Sequence, residues 1–343
     1  MKRPPTQSDV ARAAGVSQNT VSLALRGDAR LPGETRERIR RVAAKLGYRA
    51  NPMVAALMAQ VRRRVPVYRS TLALVVAGVA KSDRVAHPSL ERALAGAAER
   101  AAVRGYRLEK FWLGERGLSA KRLADILAAR GITGVILNPD EGGEALPALE
   151  WDRLAVAVLA HLDRRFRQFH CASAPPFRHF ETAMAELRRR GYNRVGMAMP
   201  RRYDSMMDQL YSAAHGTWCP DSVPALVTED WTARSFAEWF RRCRPDVILV
   251  RSTEPRLWLE QMGVSVPQEV GLVHLGWHPR LGDWAGVDNR PEAMGSAAAD
   301  LVIDQLMANE VGLPLEPKMV LVGGRWSEGG TIRHDAEAKP RTT

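Results

Sequence analysis

From Thr71 to about residue 330 the chain repeats one pattern: a short apolar run, then a longer segment with apolar residues at helical spacing. The runs Leu72–Ala77, Leu108–Leu113, Gly134–Leu137, Leu154–Leu159, Val195–Met199, Val247–Val250 and Val270–Leu275 read as strands, and a further one is expected near Leu226. Ser89–Arg104, Ser119–Arg130, Phe177–Arg190, a segment near Ser205–Ala214, Ala233–Cys243 and Pro255–Met262 read as helices, with Gly105, Gly131 and Gly191 as stops. Strands alternating with helices imply βαβ units, hence parallel sheets covered by helices on both faces. About 260 residues of this pattern exceed what one hydrophobic core usually organises, so two lobes are expected. Ligands of such sheets bind at the carboxyl ends of the strands. Residues placed there by the pattern are Asp83, Arg84, Asn138, Asp140, His161, Arg201, Tyr203 and Trp277.

The first sixty-odd residues obey a different rule. Residues 1–64 hold fourteen Lys or Arg against four Asp or Glu, which is ten of the twelve net positive charges of the chain. A compact basic segment on a near-neutral body is the electrostatic footprint of a nucleic-acid module. A solvated basic tail would carry the same charge without apolar periodicity, and here the periodicity is present. Thr6 and Asp9 stand at capping-box spacing, with Val10, Ala13 and Ala14 on one face of the helix that follows. Gly15 ends that helix. Ser17 suits the N-cap of a second helix, with Val21, Ala24 and Leu25 inward, and Gly27 as its stop. Pro32 opens a third, carrying Ile39, Val42, Ala43 and Leu46 at helical spacing. Two short helices joined by a tight Gly-containing turn make a helix-turn-helix. The outward face of the second helix is Gln18, Asn19, Ser22 and Arg26. Gln and Asn amides pair bidentately with adenine, and backbone amides from Ser17 to Asn19 suit a phosphate.

The stretches SDVARAAGVSQNTVSLALRG and LPGETRERIRRVAAKLGYRAN resemble the DNA-binding headpiece of the LacI/GalR family of bacterial repressors, with several blocks in matching order and spacing. The resemblance implies that Gln18 and Asn19 read bases, with Thr20 and Ser22 near phosphates. Leu23 stands where the family often has Arg, and either contacts a thymine methyl or leaves that base unread. Arg26 stands where the family often has Asn. Asn51-Pro52 then starts a short helix that cannot hold itself together alone in water. By resemblance it pairs with that of a second subunit in the minor groove, where Leu57 wedges into the central base step. The alternative is that Leu57 and Met58 pack on the body.

The resemblance continues more loosely through LRRRGYNRVG (187–196) and VDNRPEAMG (287–295), whose helix should run to about Asn309. It implies an all-α helix-turn-helix headpiece joined to an α/β two-lobed, periplasmic-binding-protein-like domain of doubly wound parallel sheets. The expected divisions are 1–50 for the headpiece, 51–69 for hinge helix and linker, and 70–330 for effector binding and dimerisation. Within the last, the first lobe takes about 70–161 plus 288–314 and the second about 162–287 plus 315–330. Residues 331–343 are expected to form a disordered tail. The implied function is a cytoplasmic homodimeric repressor of a pseudo-palindromic operator, modulated by a small molecule between the lobes. The family's charged sugar-gripping set is poorly kept: HLGW (274–277) replaces an acidic pair and SMMDQLYSAA replaces a helix that often carries Arg. The class of the effector therefore does not carry over. Nine tryptophans leave a stacking platform or a core role open.

Other classes are disfavoured. Cys171, Cys219 and Cys243 are far apart with no Cys-x-x-Cys, which argues against a disulfide scaffold or zinc site. No metal and no cofactor is expected. The start MKRPPTQSDV has no apolar run, so no signal peptide is expected. The longest apolar stretch, Leu72–Ala80, is about half of a membrane span. Gly-x-Gly-x-x-Gly, P-loop, Gly-x-Ser-x-Gly and His-Glu-x-x-His motifs do not occur, so catalysis is not expected.

Overall fold

The computed structural model describes residues 7–25, 31–46, 70–78, 87–139, 147–159, 164–219 and 223–334. They belong to two compact units, residues 1–67 and 68–343.

The first unit contains three helices: α1 (Gln7–Ala14), α2 (Gln18–Leu25) and α3 (Gly33–Lys45). The chain leaves α1 through Gly15 at φ 65°, and the Val16 amide donates back to the Ala11 carbonyl at 3.1 Å. A left-handed residue here is what turns the chain sharply enough to start α2 three residues later. Ser17 Oγ then accepts from the Thr20 amide at 3.1 Å, capping α2 as expected. Val10, Ala11, Ala14, Val21, Ala24, Ile39 and Ala43 form the core. Ala13, expected inward, is exposed and Ala11 is buried in its place, because the buried stripe lies on the other side of Val10. Pro32 caps α3 rather than opening it. Leu46 is exposed just beyond the last turn.

The second unit holds two six-stranded sheets. The first runs β11-β5-β4-β3-β1-β2 and is parallel throughout. Its strands are β1 (Ser70–Val76), β2 (Tyr106–Trp112), β3 (Gly134–Asn138), β4 (Ala155–Leu159), β5 (His170–Ser173) and β11 (Met319–Leu321). The second runs β12-β10-β9-β8-β6-β7. It contains β6 (Val195–Pro200), β7 (Leu226–Thr228), β8 (Val247–Val250), β9 (Gly271–His274), β10 (Ala285–Asp288) and β12 (Arg325–Ser327). Its strands are parallel except for β12, which runs antiparallel to β10. The wholly parallel expectation fails there because the chain only returns to close the sheet edge, with no crossover helix.

Helices cover both faces of each sheet. On the first, α4 (Pro88–Val103) and α11 (Pro291–Ala308) pack on one face and α5 (Ala120–Arg130) on the other. On the second, α6 (Pro176–Arg189) and α8 (Leu210–Trp218) share a core opposite that of α9 (Ala233–Cys243) and α10 (Glu254–Gln261). The short α7 (Arg201–Ser205) follows β6 directly.

The α4–α11 contact organises the first lobe. Carboxylates of α11 and the turn before it meet arginines of α4 in sequence order: Arg92 with Asp288 and Glu292, Arg100 with Asp300, Arg104 with Asp300 and Asp304. That order makes the two helices parallel. They approach through glycine. A Cβ on Gly96 would lie 2.1 Å from the Glu292 carbonyl, and one on Gly295 would lie 2.0 Å from the Ala93 carbonyl.

The lobe division differs from the expected one. Strand β5 joins the first sheet, so the first crossing to the second lobe lies between Ser173 and Pro176, not near residue 161. The chain returns between Asp288 and Pro291 and crosses again between Leu321 and Arg325, since β11 also belongs to the first sheet. The β5–β11 pairing is a tertiary event: His170 Nδ1 accepts from the Lys318 amide at 2.8 Å. Residues 331 and 332, expected in the tail, belong to the fold; residues 335–343 lie outside the described residues. Thr331 and Ile332 are buried, and Thr331 Oγ donates to the Leu272 carbonyl at 2.7 Å while accepting from the Ala285 amide at 2.9 Å.

Candidate DNA-reading helix and interlobe cleft

On α2, Ser17 and Gln18 are exposed and Thr20 and Leu23 are partly exposed. Ser17 Oγ and Thr20 Oγ1 lie 2.8 Å apart, so both hydroxyls are engaged in the first turn. Gln18 Oε1 accepts from Ser8 Oγ at 3.4 Å, a long contact that leaves the amide nitrogen presented outward. Arg38 of α3 donates to the Ala14 carbonyl at 3.0 Å and ties α3 to the end of α1. The helix that carries Gln18 is thus fixed by a cap, a turn and an apolar underside. The side chains of Asn19 and Ser22, and all of Arg26, Asn51 and Leu57, lie outside the described residues.

The second unit has a cleft of about 440 Å³ between its two sheets, within the range of ~300–1,000 Å³ usual for small-molecule sites. One wall is the first lobe, with His87, Leu90, Asn138 and Leu159; the other is the second lobe, with Tyr203, Met206, Arg251, His274 and His278. Several of the lining residues stand at or directly after the carboxyl end of a strand. Arg251 and Ser252 follow β8, His274 ends β9, and Asn138 ends β3.

The cleft is polar in an unusual way. Arg251 Nε, Ser252 Oγ, His274 Nδ1, His278 Nδ1 and Asn289 Oδ1 are all buried without a hydrogen-bond partner, and all five residues line it. A buried polar atom left unpaired costs about 1–3 kcal/mol, so natural interiors keep few of them. Five in one cavity define a surface complementary to a hydrogen-bonding ligand. Burial, reinforced by the charge of Arg251 and by His278, pushes the His274 imidazole down to about 3. His278 is lowered by burial and by Arg92, Arg280 and Arg251. Both rings are therefore neutral at ordinary pH and offer one donor and one acceptor each.

Ion pairs connect the lobes beside the cleft. Arg280 of the second lobe meets Glu91 of α4 at 2.8 Å, and Arg167 of the first lobe meets Asp208 of the second.

Of the cleft residues expected from sequence, Asn138 and Tyr203 line it. Arg201 is exposed, donating to the Val227 carbonyl at 3.1 Å and pairing with Glu229. Trp277 is turned into the second-lobe core, its indole N–H donating to the Trp284 carbonyl at 2.7 Å. Asp83, Arg84, Asp140 and His161 lie outside the described residues. No tryptophan is among the described lining residues; Trp231, Trp239 and Trp258 instead pack together with Phe236. Sequence reading missed Arg251, Ser252, His278 and Asn289. The rule of strand carboxyl ends pointed to the first two, which follow Val247–Val250 immediately.

Residues 6–51 match the family described as bacterial regulatory proteins, lacI family. Similar proteins include the HTH-type transcriptional regulator GntR of Pseudomonas aeruginosa, 45% identical over 69 residues, which is 20% of each chain. The HTH-type transcriptional regulator CelR of Thermobifida fusca is 30% identical over 148 residues, 43% of this chain and 41% of that one. The matched stretches thus span well under half the length of these relatives. Among solved structures, a transcriptional regulator CelR–cellobiose complex superposes with TM-score 0.58 at 21% identity, covering 95% of this chain and 99% of that one. A lac repressor dimer bound to operator and an anti-inducer gives 0.55 at 17% identity, covering 96% and 99%. The fold is that of a helix-turn-helix headpiece followed by a two-lobed, periplasmic-binding-protein-like body. The family match itself lies on the helix-turn-helix of the first unit, residues 6–51.

Proposed function

We propose that this chain is a sequence-specific DNA-binding regulator of transcription, acting as a homodimeric repressor whose operator affinity is set by a small molecule in the interlobe cleft. The observation that carries the reading is the conjunction, on one chain, of a basic helix-turn-helix presenting Gln18 and a cleft lined by five unpartnered buried polar atoms. Gln18 and Asn19 read base edges, Ser17, Thr20 and Ser22 serve the phosphates, and Leu23 and Arg26 lie at the edge of the readout. Asn51 starts the hinge helix, and Leu57 wedges into the minor groove at the operator centre. A two-fold dimer would set two α2 helices in successive major grooves of a pseudo-palindrome.

A ligand bridging Asn138 on one wall and His274 on the other stabilises a closed arrangement of the lobes. It alters DNA affinity to the extent that it binds the closed and open arrangements unequally. The relative with bound cellobiose supports a polyhydroxylated ligand in a body of this shape.

The test is selection of random duplex DNA by the full-length protein at roughly physiological salt, because affinity without a stated salt concentration is uninterpretable. Enrichment of one inverted repeat is the expected result. Equal retention of all sequences overturns the reading in favour of nonspecific binding. On the selected site, Leu57→Ala should weaken specific binding and leave nonspecific binding nearly unchanged; binding as tight as wild type would sink the wedge assignment.

A further inference from the structure

The cleft holds a cation, Arg251, that no carboxylate among the described residues neutralises. Arg251 follows β8 and is locked in place: Nη1 donates to the Leu275 carbonyl at 2.9 Å, and the guanidinium lies over the Tyr203 ring at 5.2 Å. Its fork occupies the space of a missing side chain, since a Cβ on Gly276 would fall 1.4 Å from Nη1. Nε remains buried and unpartnered.

Other arginines around it are matched. Arg92 takes Asp288 and Glu292, Arg256 takes Asp283, and Arg280 takes Glu91. Among the described residues no carboxylate comes within ion-pair distance of Arg251. The groups that feel its charge are His179, Tyr211, His274 and His278, all neutral at ordinary pH. The one carboxylate among the described lining residues, Glu254, is exposed at the start of α10. A partly buried guanidinium without a counter-ion is costly, and a carboxylate matches its planar fork. Beside it stand a hydroxyl (Ser252), two neutral imidazoles (His274, His278) and an amide oxygen (Asn289), each with a buried atom lacking a partner. These recognise hydroxyl groups, which both donate and accept.

We infer that the effector is a small polyhydroxylated carboxylic acid, its carboxylate held by Arg251 and its hydroxyls by Ser252, His274, His278 and Asn289. This rests on the effector-cleft reading above and names the chemistry of its ligand.

The experiment uses the full-length protein and a panel of five- and six-carbon aldonic and uronic acids. Each is offered beside its neutral aldose, its primary amide and the corresponding sugar phosphate, with binding followed by calorimetry and thermal melting. At least one acid should bind and raise the melting temperature. Its amide and aldose should bind at least about tenfold more weakly, the loss expected for a charge-assisted hydrogen bond. Arg251→Gln should lose the acid by a similar factor and Arg251→Lys should recover part of it. The comparison of acid, amide and aldose on the wild-type chain decides the matter even if Arg251→Gln folds poorly. Binding of an aldose or amide as tight as its acid, tighter binding of the phosphate, undiminished acid binding by folded Arg251→Gln, or no binding by any acid each overturns the inference. If the DNA selection succeeds while the acids fail, only this inference falls; if the selection fails, the regulator reading falls independently of the cleft.

Discussion

A single methyl group placed on α11 should test the geometry of the first lobe. Gly295→Ala puts a Cβ 2.0 Å from the Ala93 carbonyl oxygen and 2.9 Å from the Ala97 amide nitrogen of α4. Real Cβ atoms essentially never come within 3.0 Å of such a neighbour. The two helices must therefore separate by about 1 Å, and a gap of that size forfeits a quarter to a half of each dispersion contact along the seam. The seam includes Ala93, Ala97, Met294 and Ala298, all buried. Overpacking of this kind costs about 1–3 kcal/mol, and backbone rather than a flexible side chain stands in the way, which points to the upper end. Against it works the helix propensity of Ala over Gly, about 1 kcal/mol. The expected net effect is a destabilisation of about 2 kcal/mol, read as a lowered urea midpoint at unchanged slope. Gly216→Ala is the matched control. Gly216 lies in α8, is exposed, and its added Cβ would meet nothing within 4 Å. The same chemical change there should be neutral or stabilise by up to about 1 kcal/mol. If both variants shift stability in the same direction, the close approach of α4 and α11 is refuted and propensity alone governs.

Gln18→Ala should cost about 1–3 kcal/mol on the selected operator and relax preference at one base position, measured by competition between sites differing there. Acidification should destabilise the second unit. His179 and His274 titrate at about 4 and about 3 when folded, against 6.5 for the free side chain, because burial and the charge of Arg251 disfavour the imidazolium. Their folded pKa values are depressed, so stability is full above about pH 6.5. It drains as pH falls toward those values, by at most about 1.4 kcal/mol per pH unit for each ring. Urea midpoints measured from pH 7 down to pH 4 should show that decline, and His179→Asn should flatten it; an unchanged slope would mean that His179 takes up its proton in the folded chain.

The layered fold was legible because βαβ units write themselves locally: an apolar run such as Val247–Val250 is a strand whatever lies beside it. The three helices of the first unit were legible for the same reason, down to the Ser17 cap. What escaped was non-local. His170 and Ser173 interrupt β5 with polar side chains, and its pairing with β11, some 150 residues away, decides which lobe it joins. The short β12 reads as a loop until β10 supplies its partner. In the cleft, Asn138 and Tyr203 followed from their positions after strands, but the same rule proposed Arg201 and Trp277, which turn elsewhere. Strand ends nominate candidates; whether a side chain faces the cavity depends on competing partners such as the Trp284 carbonyl, which no sequence window reveals.

The parallel seam of α4 and α11 joins residues about 200 positions apart. On a ribosome adding roughly 5–20 residues each second, α4 would emerge some 10–40 s before the helix it packs against. Throughout that interval Ala93, Leu94, Ala97 and Ala101 lack the cover that α11 gives them, while strands β2 to β4 are still being added beside β1. The second lobe, contained almost entirely between Pro176 and Asp288, can settle first. Most of the second lobe's core can thus gather before α11 is made, leaving Trp326 and Ile332 to complete it, whereas the α4 face of the first lobe waits for α11 itself.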